Sequence, residues 1–147
     1  MPLLFSYLDK IEVKSNEVFF LRDNQLVFPV AAKEKLVKKA DGWALDIYVF
    51  SPRPLDDLLI EPNMPKLTLV VKAKECQLAI NDKAYVAASQ NRHEVTYKEL
   101  PLLQGWNKVS IKIGERDKNE FSGNFRCDNR NEFLSSLKVM FVNPEVK

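Results

Sequence analysis

The chain holds one histidine, four glycines and two cysteines, and each scarcity closes off a class of chemistry. A His-based triad or a His-rich zinc site is limited to one imidazole, His93. That residue lies in the polar stretch Ser89-Gln90-Asn91-Arg92-His93-Glu94 and reads as a solvated loop position. The glycines stand singly at 42, 105, 114 and 123, so no Gly-rich phosphate loop is present. No run of about 18 apolar residues exists to span a bilayer as a helix. Met1-Pro2-Leu3-Leu4-Phe5 lacks the charged-then-apolar order of a signal peptide, and no Asn-x-Ser/Thr site occurs. Either the protein is cytosolic, or the sequence is a piece whose signal and neighbouring domains lie elsewhere. An excess of one charge is also missing. The 22 basic and 20 acidic residues leave +2 and are interleaved, so the chain offers no field to a polyanion, and neither nucleic acid nor a membrane is an expected partner.

What is present is an ordinary folded domain, 46% hydrophobic and 29% charged, long enough for one core. No linker or repeat divides it, so a single domain over 1–147 is expected. Apolar residues alternate with period two, the mark of half-buried strands. In Trp43-Ala44-Leu45-Asp46-Ile47-Tyr48-Val49-Phe50, the residues Trp43, Leu45, Ile47 and Val49 share one face. Tyr48 and Phe50 on the other face predict a strand covered on both sides, within which Asp46 needs a local hydrogen bond or ion pair. Lys66 to Ala73 reads similarly. Between them lies a proline-marked loop with Asp56-Asp57, read as a solvated turn, and a short edge strand near Leu58 to Ile60.

Further strands are expected at Val18–Leu21, Gln25–Val30, Gln77–Ile80, Tyr85–Ala88, Val95–Tyr97, Lys108–Ile113, Phe121–Cys127 and Lys138–Val142. Arg22-Asp23-Asn24 and Asn81-Asp82-Lys83 read as hairpin turns. One short helix is expected at Asn131 to Leu137 with Asn131 as N-cap, and Ala32 to Ala40 reads as a helix or a charged edge strand. The expected fold is all-β, a two-sheet antiparallel β-sandwich with one short helix. Its core draws on Leu45, Ile47, Val49, Leu67, Leu69, Val71, Leu78, Ile80, Val109, Ile111, Phe125 and Val139. Cys76 and Cys127 pair only if the fold brings them together, and two buried free thiols are the expectation.

An ordered set of features carries a resemblance over about 42–144. These are Gly42-Trp43-Ala44-Leu45-Asp46-Ile47-Tyr48-Val49-Phe50-Ser51-Pro52, a strand ending in a Ser-Pro corner, and the hairpin Cys76-Gln77-Leu78-Ala79-Ile80-Asn81-Asp82-Lys83-Ala84-Tyr85-Val86, with Asp82 where Gly is usual. Then come Leu100-Pro101-Leu102-Leu103-Gln104-Gly105-Trp106-Asn107-Lys108-Val109-Ser110-Ile111-Lys112-Ile113 and the closing strand Phe121-Ser122-Gly123-Asn124-Phe125-Arg126. In this order they resemble the galactose-binding-domain-like jelly-roll modules appended to bacterial glycoside hydrolases and related secreted polysaccharide-degrading enzymes. The resemblance implies a jelly roll and a non-catalytic carbohydrate-binding or accessory module, with a glycan or an adjacent catalytic domain as partner and an extracellular or periplasmic setting. The alternative is a protein-interaction module with no sugar binding.

Sugar binding uses flat aromatic faces and planar polar side chains. The loop or loop-edge candidates are Asn63, Tyr85, Arg92, His93, Tyr97, Arg126, Asn129 and Arg130. Trp43 and Trp106 are assigned by their strand and corner contexts to the core, Trp106 capping the end of the sandwich while Asn107 bonds loop backbone. No catalytic constellation is evident. Asp128, Asn129 and Glu132 supply oxygens of the kind a structural Ca²⁺ prefers, as related jelly rolls often carry. Arg130 in their midst and the lack of an EF-hand pattern favour a turn with a helix cap, and no cofactor is expected.

Overall fold

The computed structural model describes residues 18–55 and 64–144. Twelve strands occur among them: β1 (Phe20–Arg22), β2 (Gln25–Val27), β3 (Val37–Lys39), β4 (Gly42–Ser51), β5 (Leu67–Lys72), β6 (Cys76–Ile80), β7 (Lys83–Tyr85), β8 (Ser89–Gln90), β9 (Val95–Leu100), β10 (Gly105–Ile113), β11 (Ser122–Arg126) and β12 (Lys138–Met140). One sheet has the order β1-β2-β11-β5-β9-β8, the other β12-β4-β10-β6-β7, and β3 also pairs with β4. Every pairing is antiparallel. The fold is therefore an all-β, two-sheet sandwich. β3 and β12 share one edge of β4, β3 along Gly42 to Ala44 and β12 along Tyr48 to Phe50.

Register explains the core. β4 pairs with β10 so that Ile47 faces Val109, Leu45 faces Ile111 and Val49 faces Asn107, all on the inner face. The opposing sheet supplies Leu67, Leu69, Val71, Val95, Tyr97 and Phe125, all buried. Burying each such Leu, Ile or Val contributes about 1.5–3 kcal/mol before ordering costs. Every expected core residue but Val139 is in the cluster, and Val139 is half-buried against it. β5 is covered on both sides, since Thr68 and Val70 are buried along with Leu67, Leu69 and Val71. β4 is not: its outer face is half-open and Asp46 is exposed, so that carboxylate is solvated and needs no partner.

Both expected hairpin turns are present. Asp23 and Asn24 have φ of 52° and 61°, and Asn81 and Asp82 have 52° and 69°. Positive φ at both central residues is the two-residue turn whose twist matches paired strands, and Asn and Asp enter that region more readily than most residues. Gly42 at φ 156° is required sterically, because a Cβ there would sit 2.1 Å from the Ile113 carbonyl oxygen.

Several local expectations shift. Ala32 to Ala40 divides between a 3-10 helix, Val30–Lys35, and β3. Instead of one short helix there are three 3-10 helices among the described residues, the others being Lys118–Glu120 and Asn131–Ser136. Arg130, rather than Asn131, precedes the last of these, and no side chain caps it. The strand expected at Tyr85–Ala88 lies earlier, as β7, because its register is fixed by the Asn81-Asp82 turn. Leu58 to Ile60 and Asp56-Asp57 lie outside the described residues. Cys76, in one sheet, and Cys127, just past β11 in the other, are both free; Cys127 is buried and Cys76 half-buried.

Candidate functional site

The corner at Gly105 decides what the outer face of β4 and β10 presents. Gly105 has φ +96°, which turns the chain into β10, and the next two side chains point to opposite faces. Asn107 goes inward and is 1% exposed. Its Oδ1 accepts from the Leu103 backbone N–H at 2.8 Å and from Asn81 Nδ2 at 2.9 Å. Its Nδ2 donates to the carbonyls of Leu103 (2.9 Å), Gly105 (3.1 Å) and Val49 (3.3 Å). With Asn107 so held, Trp106 must face outward. This corrects the expectation that Trp106 caps the core; only Trp43 packs against the core, with Lys118 Nζ 3.9 Å from its ring centroid.

Outward-facing residues of β12, β4 and β10 form cross-strand rows. Trp106 lies opposite Phe50, ring centroids 5.4 Å apart in an edge-on arrangement, and Lys138 stands on the other side of Phe50 with Nζ 5.5 Å from its ring. In the next row Tyr48 lies between Lys108 and Met140. The Tyr48 hydroxyl makes no hydrogen bond to the described residues. The third row pairs Asp46 with Ser110, and the fourth Ala44 with Lys112. Lys112 meets Asp41 at 2.7 Å and holds that carboxyl below the usual range, while Lys108 meets Asp82 at 3.9 Å. Two rows are thus aromatic, the third is polar, and the fourth joins Lys112 to Ala44 and the exposed Val37 of β3, on a face that the core leaves free.

No family model, curated protein or solved structure matches this chain.

The residues singled out from sequence do not converge. Arg92 and His93 are exposed in the β8–β9 turn, where Asn91 Oδ1 accepts the backbone N–H of His93 (2.8 Å) and Glu94 (3.0 Å). Arg126, Asn129 and Arg130 lie at the other end of the same sheet, since Arg126 pairs with Thr68 while Gln90 pairs with Val95. Asn129 is committed to structure: its Oδ1 accepts from Lys66 N–H at 3.0 Å and its Nδ2 donates to the Met64 carbonyl at 2.8 Å. Asn63 lies outside the described residues. Tyr85 and Tyr97 do meet, lining a cleft of about 670 Å³ between β7 and β8 together with Cys76, Gln77 and Gln90. Yet Tyr97 is no loop residue. It is 2% exposed within β9, donating its hydroxyl to the Cys76 carbonyl at 3.2 Å, and burial pushes that hydroxyl well above its ordinary pKa.

The oxygens considered for Ca²⁺ are each engaged elsewhere. Asp128 faces Arg126 at 3.5 Å, Glu132 pairs with Arg130, and Asn129 Oδ1 holds the backbone. Among the described residues no group of three His, Cys, Asp or Glu side chains is placed to hold a metal ion. Asp117, which the sequence reading passed over, lies in a second cleft with Asp41, Glu75 and Glu115 around Gly114. It is 7% exposed and accepts the backbone N–H groups of Lys74 (3.0 Å), Glu75 (3.1 Å) and Gly114 (3.2 Å), a clamp between the β5–β6 link and the end of β10.

The aromatic face was legible in one respect. Period two alone places Tyr48 with Phe50 and Trp106 with Lys108; only the register of β4 against β10 brings the two sets together.

Proposed function

We propose that this chain is a non-catalytic accessory module that binds a glycan by stacking sugar rings on Trp106, Phe50 and Tyr48. The observation carrying this reading is the outward Trp106–Phe50 pair, which the core does not use. Carbon–hydrogen faces of a pyranose pack on such rings, and nearby polar groups bond its hydroxyls. The Tyr48 hydroxyl, Ser110 and Asp46 lie on the same face in reach of that task. The likeness to jelly-roll modules of polysaccharide-degrading enzymes supports the same reading.

The test is affinity electrophoresis through gels containing neutral plant, microbial and host polysaccharides. The expected result is retardation by at least one polymer, abolished by Trp106→Ala while thermal unfolding shifts only slightly. Uniform mobility across the panel overturns the reading.

A second reading has its own observation. Among the described residues β1 is the outer strand of its sheet, and Val18, Phe20 and Leu21 at that edge are 45%, 42% and 53% exposed. An unpaired strand edge bearing apolar side chains is a template for another chain. Sedimentation velocity separates the readings: concentration-dependent association abolished by Leu21→Lys favours the protein-interaction role, and a monomer at all concentrations counts against it.

A further inference from the structure

The shape and charge of the outer face carry the reading further. Its four rows run from Trp106 to Lys112 along one strand, about 20 Å at the usual rise per residue, the length of roughly four sugar units. The two larger described clefts lie off this strip, around Gly114 at the sheet's end and along the β7–β8 seam, and a small one of about 90 Å³ touches only its Lys112 end. A chain end is recognised by enclosing it on several sides, and this face supplies a floor instead. Over the four rows and their ion-pair partners the charges cancel, with Lys39, opposite Gly42, lying one row beyond. Lys112 is paired with Asp41 and Lys108 with Asp82, while Lys138 sits on the Phe50 ring and Asp46 is the remaining carboxylate.

We infer that the face takes the interior of a linear, uncharged glycan, its rings stacked over Trp106, Phe50 and Tyr48 and its hydroxyls reaching Asp46 and Ser110 in the row beyond Tyr48. This rests on the glycan-binding reading above. Asp46 stands in the row next to Tyr48 and accepts hydroxyl hydrogens chiefly from the sugar that follows those on the aromatic rows, so a longer oligomer uses it more fully than a dimer.

Isothermal titration with cello-, xylo- and manno-oligosaccharides of one to about six units tests this. Affinity for one series should rise at least about tenfold from the dimer to the tetramer or pentamer and then level off, as the strip fills. Asp46→Asn, which keeps an acceptor oxygen and removes its charge, should weaken the hexamer about fivefold and the dimer by less, about the difference between a charge-assisted and a neutral hydrogen bond. Raising the salt from about 0.05 to 0.5 M should change affinity less than about twofold. A monosaccharide or dimer that binds as tightly as the hexamer overturns the inference and leaves glycan binding standing, as does a tenfold loss with salt. Failure of every oligomer and every polymer overturns both.

Discussion

Asn81 and Asn107 hold each other through one side-chain hydrogen bond, Nδ2 of Asn81 donating to Oδ1 of Asn107 at 2.9 Å, and each also secures backbone that the other cannot reach. Asn81 Oδ1 accepts from Lys108 N–H at 2.9 Å, and Asn107 ties Leu103, Gly105 and Val49. The pair joins the β6–β7 turn to the corner that turns Trp106 outward. Asn107→Ala strands several buried backbone groups and should lower stability by about 3 kcal/mol in urea titration. A loss under about 1 kcal/mol would mean water replaces the amide there.

The turns give a prediction of opposite sign. Asp82 sits at φ 69°, a conformation glycine adopts without a Cβ penalty. Asp82→Gly should stabilise by about 0.5 kcal/mol, its ion pair with Lys108 being long and exposed. Gly42→Ala should destabilise by about 3 kcal/mol, because its Cβ would overlap the Ile113 carbonyl oxygen. Paired thermal melts check both.

Asp117 accepts three backbone N–H groups with a buried carboxylate. Asp117→Ala should cost about 2–3 kcal/mol. Hydrogen exchange should quicken first at the amides of Lys74, Glu75 and Gly114, and unchanged protection there would sink the clamp.

Burial pushes the Cys76 thiol from 9.0 up to about 11. The folded state keeps its proton where the unfolded chain loses it. The stabilisation is therefore full below pH 9 and lost as pH rises through about 11, on the order of 2 kcal/mol. Cys76→Ala should flatten the alkaline limb of stability against pH. Half-buried and protonated, the thiol should alkylate more slowly at pH 8 in the folded than in the unfolded protein, and equal rates would contradict the raised pKa.

Much of this was present in the chain's alternation. The inward sets Leu45, Ile47, Val49 and Val109, Ile111, Ile113 fix two strands and their buried faces without reference to anything distant. Turn chemistry at Asp23-Asn24 and Asn81-Asp82 is equally local, since positive φ depends on the residues themselves. The short strand β8 escaped, and β3 stayed open between helix and strand, because two or three residues carry no period, and their pairing partners supply the reason for their shape.

The candidate site divides the same way. Chain alternation by itself determined that Trp106 and Asn107 point apart, and that Tyr48 and Phe50 share a face. It did not determine which face is solvent. Only tertiary structure decided that, because Asn107 finds its five partners on the inner side, from Leu103, Gly105, Asn81 and Val49. A buried amide cannot go unbonded, whereas an indole tolerates half-exposure, so the polar residue took the interior and the aromatic one the surface.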